Sequence, residues 1–217
     1  MKICIGITSY LPDSKEVRNV RSKRLKQLIS KCNEFFNFDI IIIAQNWKDF
    51  NIKGNNVIID YYKTPLGITP ARIKLREKFL SLDYDYMIMM DDDTDLCGTK
   101  ESYENYINKI IENKKDFYWV NNYYIRMCCI SKSGFIKIGF DDSIVPEKGL
   151  GWEDVIFCKK CRKYLSSMVI DNNNLLDTDR TKTYCKDVYS TWDNCDTQLQ
   201  RKNGVKTREL RSKFEAV

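Results

Sequence analysis

Tyr86-Met87-Ile88-Met89-Met90-Asp91-Asp92-Asp93-Thr94-Asp95 begins as an apolar run and ends abruptly in carboxylates. A run so short and so apolar predicts a buried strand of a parallel sheet, and ligands of such sheets bind just beyond the carboxyl ends of the strands. The acids therefore stand where a ligand would. Side chains alternate along an extended segment, which predicts Asp91 and Asp93 on one side and Asp92 on the other. Carboxylates pointing together repel unless one is protonated or a cation joins them, and hard oxygen ligands suit Mg²⁺ or Mn²⁺ holding a diphosphate. Asp and Thr also cap helices and fill turns, so the same cluster is compatible with a solvated loop.

The rest of the chain supplies strands and helices in alternation. Residues 2–8 are β-rich, and residues 15–32 read as a helix with Val17, Val20, Leu25, Leu28, Ile29 and Cys32 on one face. Strands follow at 38–44 and 56–60, giving the opening βαββ pattern of a nucleotide-binding half-sheet. Gly67-Ile68-Thr69-Pro70-Ala71-Arg72 predicts a helix start with Thr69 as N-cap and Pro70 first in the helix. Another helix is expected from about residue 99, presenting Tyr103, Tyr106, Ile107, Ile110 and Ile111 to the core. Strands at 117–121 and 124–130, a turn or short helix at 131–138, a helix from Trp152 to about Tyr164 and a strand at 168–170 complete the pattern. Between them, residues 141–151 hold Pro146, Gly149 and Gly151 without periodicity and predict a mobile loop over the site. The fold class is α/β, a central, mostly parallel mixed sheet flanked by helices in a single domain, with halves at 1–98 and 99–171 and a basic extension at 172–217.

At 217 residues the chain suffices for one substantial core, and its 43% hydrophobic and 12% aromatic content fits a packed globule. No apolar run approaches the length of a bilayer span, so no transmembrane segment is expected, and the start lacks the layout of a secretory signal. Nine cysteines, an odd number scattered through predicted elements, point to free thiols in a reducing compartment, by default the cytoplasm. Cys158 and Cys161 with Cys185 and Cys195 could be assembled into a zinc site, although the second pair lacks tight spacing; alternatively the first pair are small, partly buried residues one helical turn apart. The formal charge of +6 concentrates on Arg18, Arg21, Lys23, Arg24 and Lys26 and on a tail rich in Lys and Arg. Such faces keep a protein solvated or attract phosphates, nucleic acid or anionic membranes. With no histidine anywhere, histidine metal ligands and His-based catalytic triads are excluded.

Taken in order, Gly67-Ile68-Thr69-Pro70-Ala71-Arg72, Tyr86 to Asp93, and Gly149-Leu150-Gly151-Trp152-Glu153-Asp154 resemble motifs of the GT-A fold (Rossmann-like) glycosyltransferases. The likeness is closest to the inverting, metal-dependent members that include polysaccharide synthases and the galactosyltransferase type with a Trp-Glu-Asp motif. The resemblance covers residues 2–170 and rests on three motifs in family order, each weak alone. It implies a nucleotide-sugar-binding first half, an acceptor and catalytic second half, and transfer of a sugar from a UDP-sugar or other nucleotide-sugar donor to an acceptor hydroxyl. Asp91-Asp92-Asp93 matches the family's Asp-x-Asp motif, with Asp93 in contact with Mn²⁺ or Mg²⁺ and Asp91 reaching the metal, its bound water or the ribose. Asp93-Thr94-Asp95 is an alternative frame, which makes Asp95 a further metal candidate. The resemblance puts Thr8, Ser9 and Tyr10 beside the nucleotide base, Arg72 near the diphosphate and Asp92 in the donor site. Gln45 and Asn46 fall where relatives often carry an acid that contacts the base. Relatives often add a late histidine as third protein ligand; here Asp177, Asp179, Tyr184 or water is left for that place.

The residues suit such chemistry in their own right. Breaking a sugar–diphosphate bond develops negative charge on the leaving phosphate, which a metal and Arg72 stabilise. The acceptor hydroxyl must lose a proton, and Asp154 is the candidate base. Glu153 and Asp154 share the first turn of a helix, where the dipole favours ionised acids; neighbours there point about 100° apart, so one faces the reacting carbon while the other holds sugar hydroxyls. Helix-start electrostatics alone also accounts for such a pair. Trp152 stacks on the sugar or joins the core. A sugar nucleotidyltransferase needs a Gly-rich, Arg-containing loop after the first strand, where this chain has Ser9-Tyr10-Leu11-Pro12-Asp13. The remaining alternatives are a glycan or lipid-linked acceptor, a hydroxymethylated base in DNA, and an inactive scaffold that retains the fold.

Overall fold

β4 (Tyr86–Asp91) is the middle strand of a seven-stranded sheet ordered β3-β2-β1-β4-β6-β5-β7. The computed structural model describes residues 1–11, 15–47, 56–120, 123–140, 153–171 and 175–176. The other strands are β1 (Ile3–Tyr10), β2 (Asp39–Gln45), β3 (Val57–Tyr62), β5 (Phe117–Val120), β6 (Tyr123–Ser131) and β7 (Ser167–Ile170). β1 pairs in parallel with both β2 and β4, and β3 with β2. β6 runs antiparallel to β4 and β5, and β5 is parallel to β7, so β6 alone opposes the rest. The sheet is thus mixed and mostly parallel, as the alternating pattern predicts.

Both faces of the sheet are covered, which is why β1, β2 and β4 are nearly continuous apolar runs. Ile5, Ile7, Ile40, Ile42, Ile88 and Met90 face α1 (Lys15–Phe35) and α3 (Lys100–Asn113), packing with Leu25, Leu28, Cys32, Tyr103, Tyr106 and Ile110. The alternate residues Cys4, Ile41, Ile43, Met87 and Met89 face α2 (Ile68–Ser81), α4 (Lys132–Lys137) and α5 (Glu153–Tyr164). Gly6 belongs to this second face: a Cβ there would collide with the Met87 thioether and lie 3.1 Å from Leu75 Cδ2, so its bareness lets α2 approach β1.

Several local expectations are corrected. Val20 is 38% exposed and Ile111 45%, because each is turned away from the centre of its helix's buried face, set by Leu25 and Leu28 in α1 and by Tyr103 and Ile110 in α3. α2 starts at Ile68 with Gly67 at the N-cap in a positive-φ conformation (φ +90°), so Thr69 lies inside the first turn and does not cap it. Its Oγ1 is buried without a hydrogen-bond partner. Thr99 does cap α3, accepting from Ser102 N at 3.3 Å. Cys158 and Cys161 are buried free thiols beside Phe117 and Phe157, burial pushing Cys158 up to about 12. Cys185 and Cys195 lie outside the described residues, and among those described no group of three metal-ligating side chains forms. No described helix is long and apolar enough to cross a membrane. The 141–151 loop and the basic tail from residue 177 also lie outside the described residues.

Candidate active site

The strand ladder stops at Asp91, which pairs with Thr8 across β1, and the next residues turn. Thr94 N donates to Asp91 O at 3.0 Å while Asp91 N donates to Thr94 Oγ1 at 3.1 Å. Thr94 Oγ1 in turn donates to Arg126 O at 3.0 Å on β6. The reciprocal pair closes a tight turn, so the expected alternation of Asp91, Asp92 and Asp93 along an extended strand does not hold beyond Asp91. The acids are separated by a turn's geometry: Asp91 pairs with Arg72, Asp92 with Ser9 and Arg21, and Asp95 with Lys31.

Asp91 keeps 27% of its side chain exposed and accepts from Arg72 Nη2 at 2.8 Å, the arginine being 4% exposed. Asp92 is buried: Ser9 Oγ donates to its Oδ2 at 2.8 Å, and Arg21 Nη1 stands 3.4 Å from the same oxygen. Arg21 also donates to Tyr10 O at 3.3 Å. Burial pushes the Asp92 carboxyl up to about 6, with Arg21 and Ser9 pulling the other way and Asp93 and Asp91 adding to the rise. Asp93 is partly exposed on the turn. Asp95 accepts from Lys31 Nζ at 3.0 Å, and the same ammonium donates to Leu96 O at 2.6 Å.

The remaining donor-site candidates sit at the carboxyl ends of β1 and β2. Thr8 and Ser9 are buried and Tyr10 partly so, Ser9 being committed to Asp92. Gln45 Oε1 accepts from Leu66 N at 2.8 Å, bracing the turn that leads into Gly67 and α2. Asn46, at φ 57°, donates through Nδ2 to Leu11 O at 2.8 Å. Asp154 lies in the first turn of α5, and the Cys158 thiol beneath it feels the charge of both Asp154 and Arg72. That shared neighbour sets the start of α5 on the Arg72 side of the sheet. The side chain of Glu153 and all of Trp152, Asp177, Asp179 and Tyr184 lie outside the described groups.

In the sequence Arg21 belongs to a basic helix face, and nothing there singles out Lys31. A helical period identifies a face; which carboxylate waits opposite it depends on a partner 71 residues away for Arg21 and 64 for Lys31. For Thr94 a signal was present, since Asp-x-x-Thr is a turn-closing spacing. Asp91 and Asp93 offer hard oxygens suited to Mg²⁺ or Mn²⁺, and as two groups they would need a ligand's phosphate oxygens and water to complete the coordination.

No protein-family model matches the sequence, and no curated protein does. Solved structures match it by fold. S. aureus TarS 1-349 superposes with a TM-score of 0.62 at 12% identity, over 85% of this chain and 62% of that one. Its complex with UDP-GlcNAc gives 0.60 at 12% identity, over 81% and 58%. This chain therefore spans less than two thirds of the TarS fragment. Mannosyltransferase PcManGT from Pyrobaculum calidifontis, solved with GDP-Man and Mn²⁺, gives 0.55 at 6% identity over 79% and 55%. A Desulfovibrio desulfuricans G20 protein described as a nucleotide-diphospho-sugar transferase gives 0.52 at 17% identity over 96% and 98%. With strand order, coverage of both sheet faces and these superpositions in agreement, the chain has the α/β GT-A fold.

Proposed function

We propose that the chain is a glycosyltransferase that moves a sugar from a nucleotide-sugar donor, a UDP-sugar first, to an acceptor hydroxyl with inversion. The observation that carries this reading is the acidic turn at the end of β4, with Arg72 on Asp91, at the strand ends where this fold class binds nucleotides. Asp93 and Asp91 would hold Mn²⁺ or Mg²⁺, which supplies positive charge to the leaving diphosphate. Arg72 adds a guanidinium suited to phosphate oxygens. Asp154 takes the acceptor's proton as its oxygen bonds to the anomeric carbon; the carbon–oxygen bond to phosphate breaks and the nucleoside diphosphate leaves with the electron pair. Glu153 or Trp152 holds the sugar, and Asp92 acts from behind by fixing Ser9 and Arg21.

A glycan or lipid-linked sugar is the preferred acceptor over DNA. Arg21, one of the basic residues that would favour a polyanion, is directed inward to Asp92, and Lys31 on the same helix is paired at the surface with Asp95. The reading places the enzyme in the cytoplasm as one domain. Its test is transfer from UDP-sugars to glycan acceptors with Mn²⁺, comparing wild type with Asp154→Asn. Donor binding retained and transfer lost supports Asp154 as the base; retained turnover passes the role to Glu153 or argues against inversion.

A further inference from the structure

Resting on that reading, a cation on the far side of the acidic turn calls for a ligand of its own. Arg126 precedes by two residues Cys128, where the β4–β6 ladder ends, and continuing the antiparallel register brings it opposite Asp91. The Thr94 hydroxyl bridges the two: Asp91 N donates to Oγ1 at 3.1 Å, and Oγ1 donates to Arg126 O at 3.0 Å. Met127, Cys128, Cys129 and Ile130 are wholly buried behind it, so the backbone that carries Arg126 is fixed by packing. Cys128 and Ile130 face α2 and α5, and alternation along the strand puts Arg126 on that side too, with Arg72 and the start of α5 at Asp154.

Arg72, Arg21 and Lys31 each answer a carboxylate, of Asp91, Asp92 and Asp95 in turn. Arg126 does not: among the described residues no hydrogen bond or ion pair ends on its guanidinium, although the side chain is partly buried. A cation standing fully in water needs no partner, and many surface arginines are of that kind. One partly withdrawn from water beside a site gains more from an incoming oxyanion, whose paired oxygens fit the planar fork. The donor-site candidates Thr8, Ser9 and Gln45 end β1 and β2, whereas β6 lies on the other side of β4 from both. A donor lying along β1 and β2 leaves β6 to the acceptor. We infer that Arg126 binds an anionic group of the acceptor, a phosphate or a carboxylate, and so selects acidic sugars over neutral ones.

The test titrates the full chain, saturated with UDP and Mn²⁺, with glucose 6-phosphate, glucuronate and glucose by calorimetry. Charge-assisted hydrogen bonds should make wild type bind one of the acidic probes about tenfold or more tightly than glucose. In Arg126→Gln that preference should fall to about twofold or less, and Arg126→Lys, which keeps the charge without the fork, should retain part of it. UDP titrated in Mn²⁺ is the control, and its affinity should match between Arg126→Gln and wild type. No preference for either acidic probe in wild type overturns the assignment without recourse to a variant. A preference that survives in folded Arg126→Gln belongs to the metal or another cation and overturns it as well. Weakened UDP binding in Arg126→Gln overturns it too, by giving the arginine to the donor's diphosphate. Those three results leave the proposed transferase standing, since wild type still binds UDP with Mn²⁺; wild type that binds no UDP removes the proposed function and this inference together.

Discussion

Asp92→Asn tests whether the middle acid of the turn is a buried structural carboxylate. Its side chain is 9% exposed, and burial lifts its carboxyl from 3.8 to about 6 against the opposing pull of Arg21 and Ser9. A raised folded value means the protonated acid suits the fold better than the ion. The group's contribution to stability is therefore complete below about pH 4 and is lost as pH rises through about 6. Roughly two units at about 1.4 kcal/mol each give a loss of about 3 kcal/mol, an upper figure because some solvent and neighbour relaxation is expected. Asparagine does not titrate, so the comparison isolates this group from every other carboxylate. Urea denaturation of both proteins in EDTA from pH 4 to pH 8 should show the variant gaining about 2–3 kcal/mol relative to wild type across that range. A difference flat in pH would refute the burial argument. A difference falling with pH would mean that the Arg21 pairing outweighs burial and that the folded carboxyl is depressed.

Two further changes probe the scaffold. Asp116 accepts from Ser131, Ser133 and Ser166 at 2.8, 2.7 and 3.1 Å; burial pushes its carboxyl up, and the three hydroxyls with Lys137 together hold it below the usual range. Its stabilisation is present above about pH 4 and lost on acidification, so Asp116→Asn should cost about 2 kcal/mol at pH 7 and less at pH 3 by urea denaturation; a cost constant in pH would count against it. Tyr106 places a buried hydroxyl without a hydrogen-bond partner against α3's face of the core, so Tyr106→Phe should raise stability by about 1 kcal/mol, and a loss of that size would reveal an unseen partner.

Much of this architecture is legible in the chain because a strand covered on both faces must be apolar throughout. Ile40 to Ala44 and Tyr86 to Met90 leave no other reading, and the acids after Met90 fall at the strand's carboxyl end as expected. The fate of each acid was harder to read. Alternation is a property of the ladder, and the ladder to β6 ends at Met89 while that to β1 ends at Asp91. Past that point hydrogen bonds of Thr94 set the direction of Asp92 and Asp93. Thr69 looked like a cap from its residue type, yet Gly67 reaches a positive φ that stops the chain two residues earlier. Gln45, a donor-site candidate by its place after β2, braces Leu66 through its side-chain oxygen, a role that depends on where the chain returns after β3.

The central claim is a metal-dependent nucleotide-sugar site on the acidic turn. Its most direct test is calorimetric titration with UDP-, GDP-, CMP- and dTDP-sugars, with and without Mn²⁺, against wild type and Asp93→Ala. The account predicts that one donor binds wild type only with Mn²⁺ and that Asp93→Ala, still folded, loses that binding. Binding unchanged in Asp93→Ala, or no donor bound by folded wild type, would contradict it.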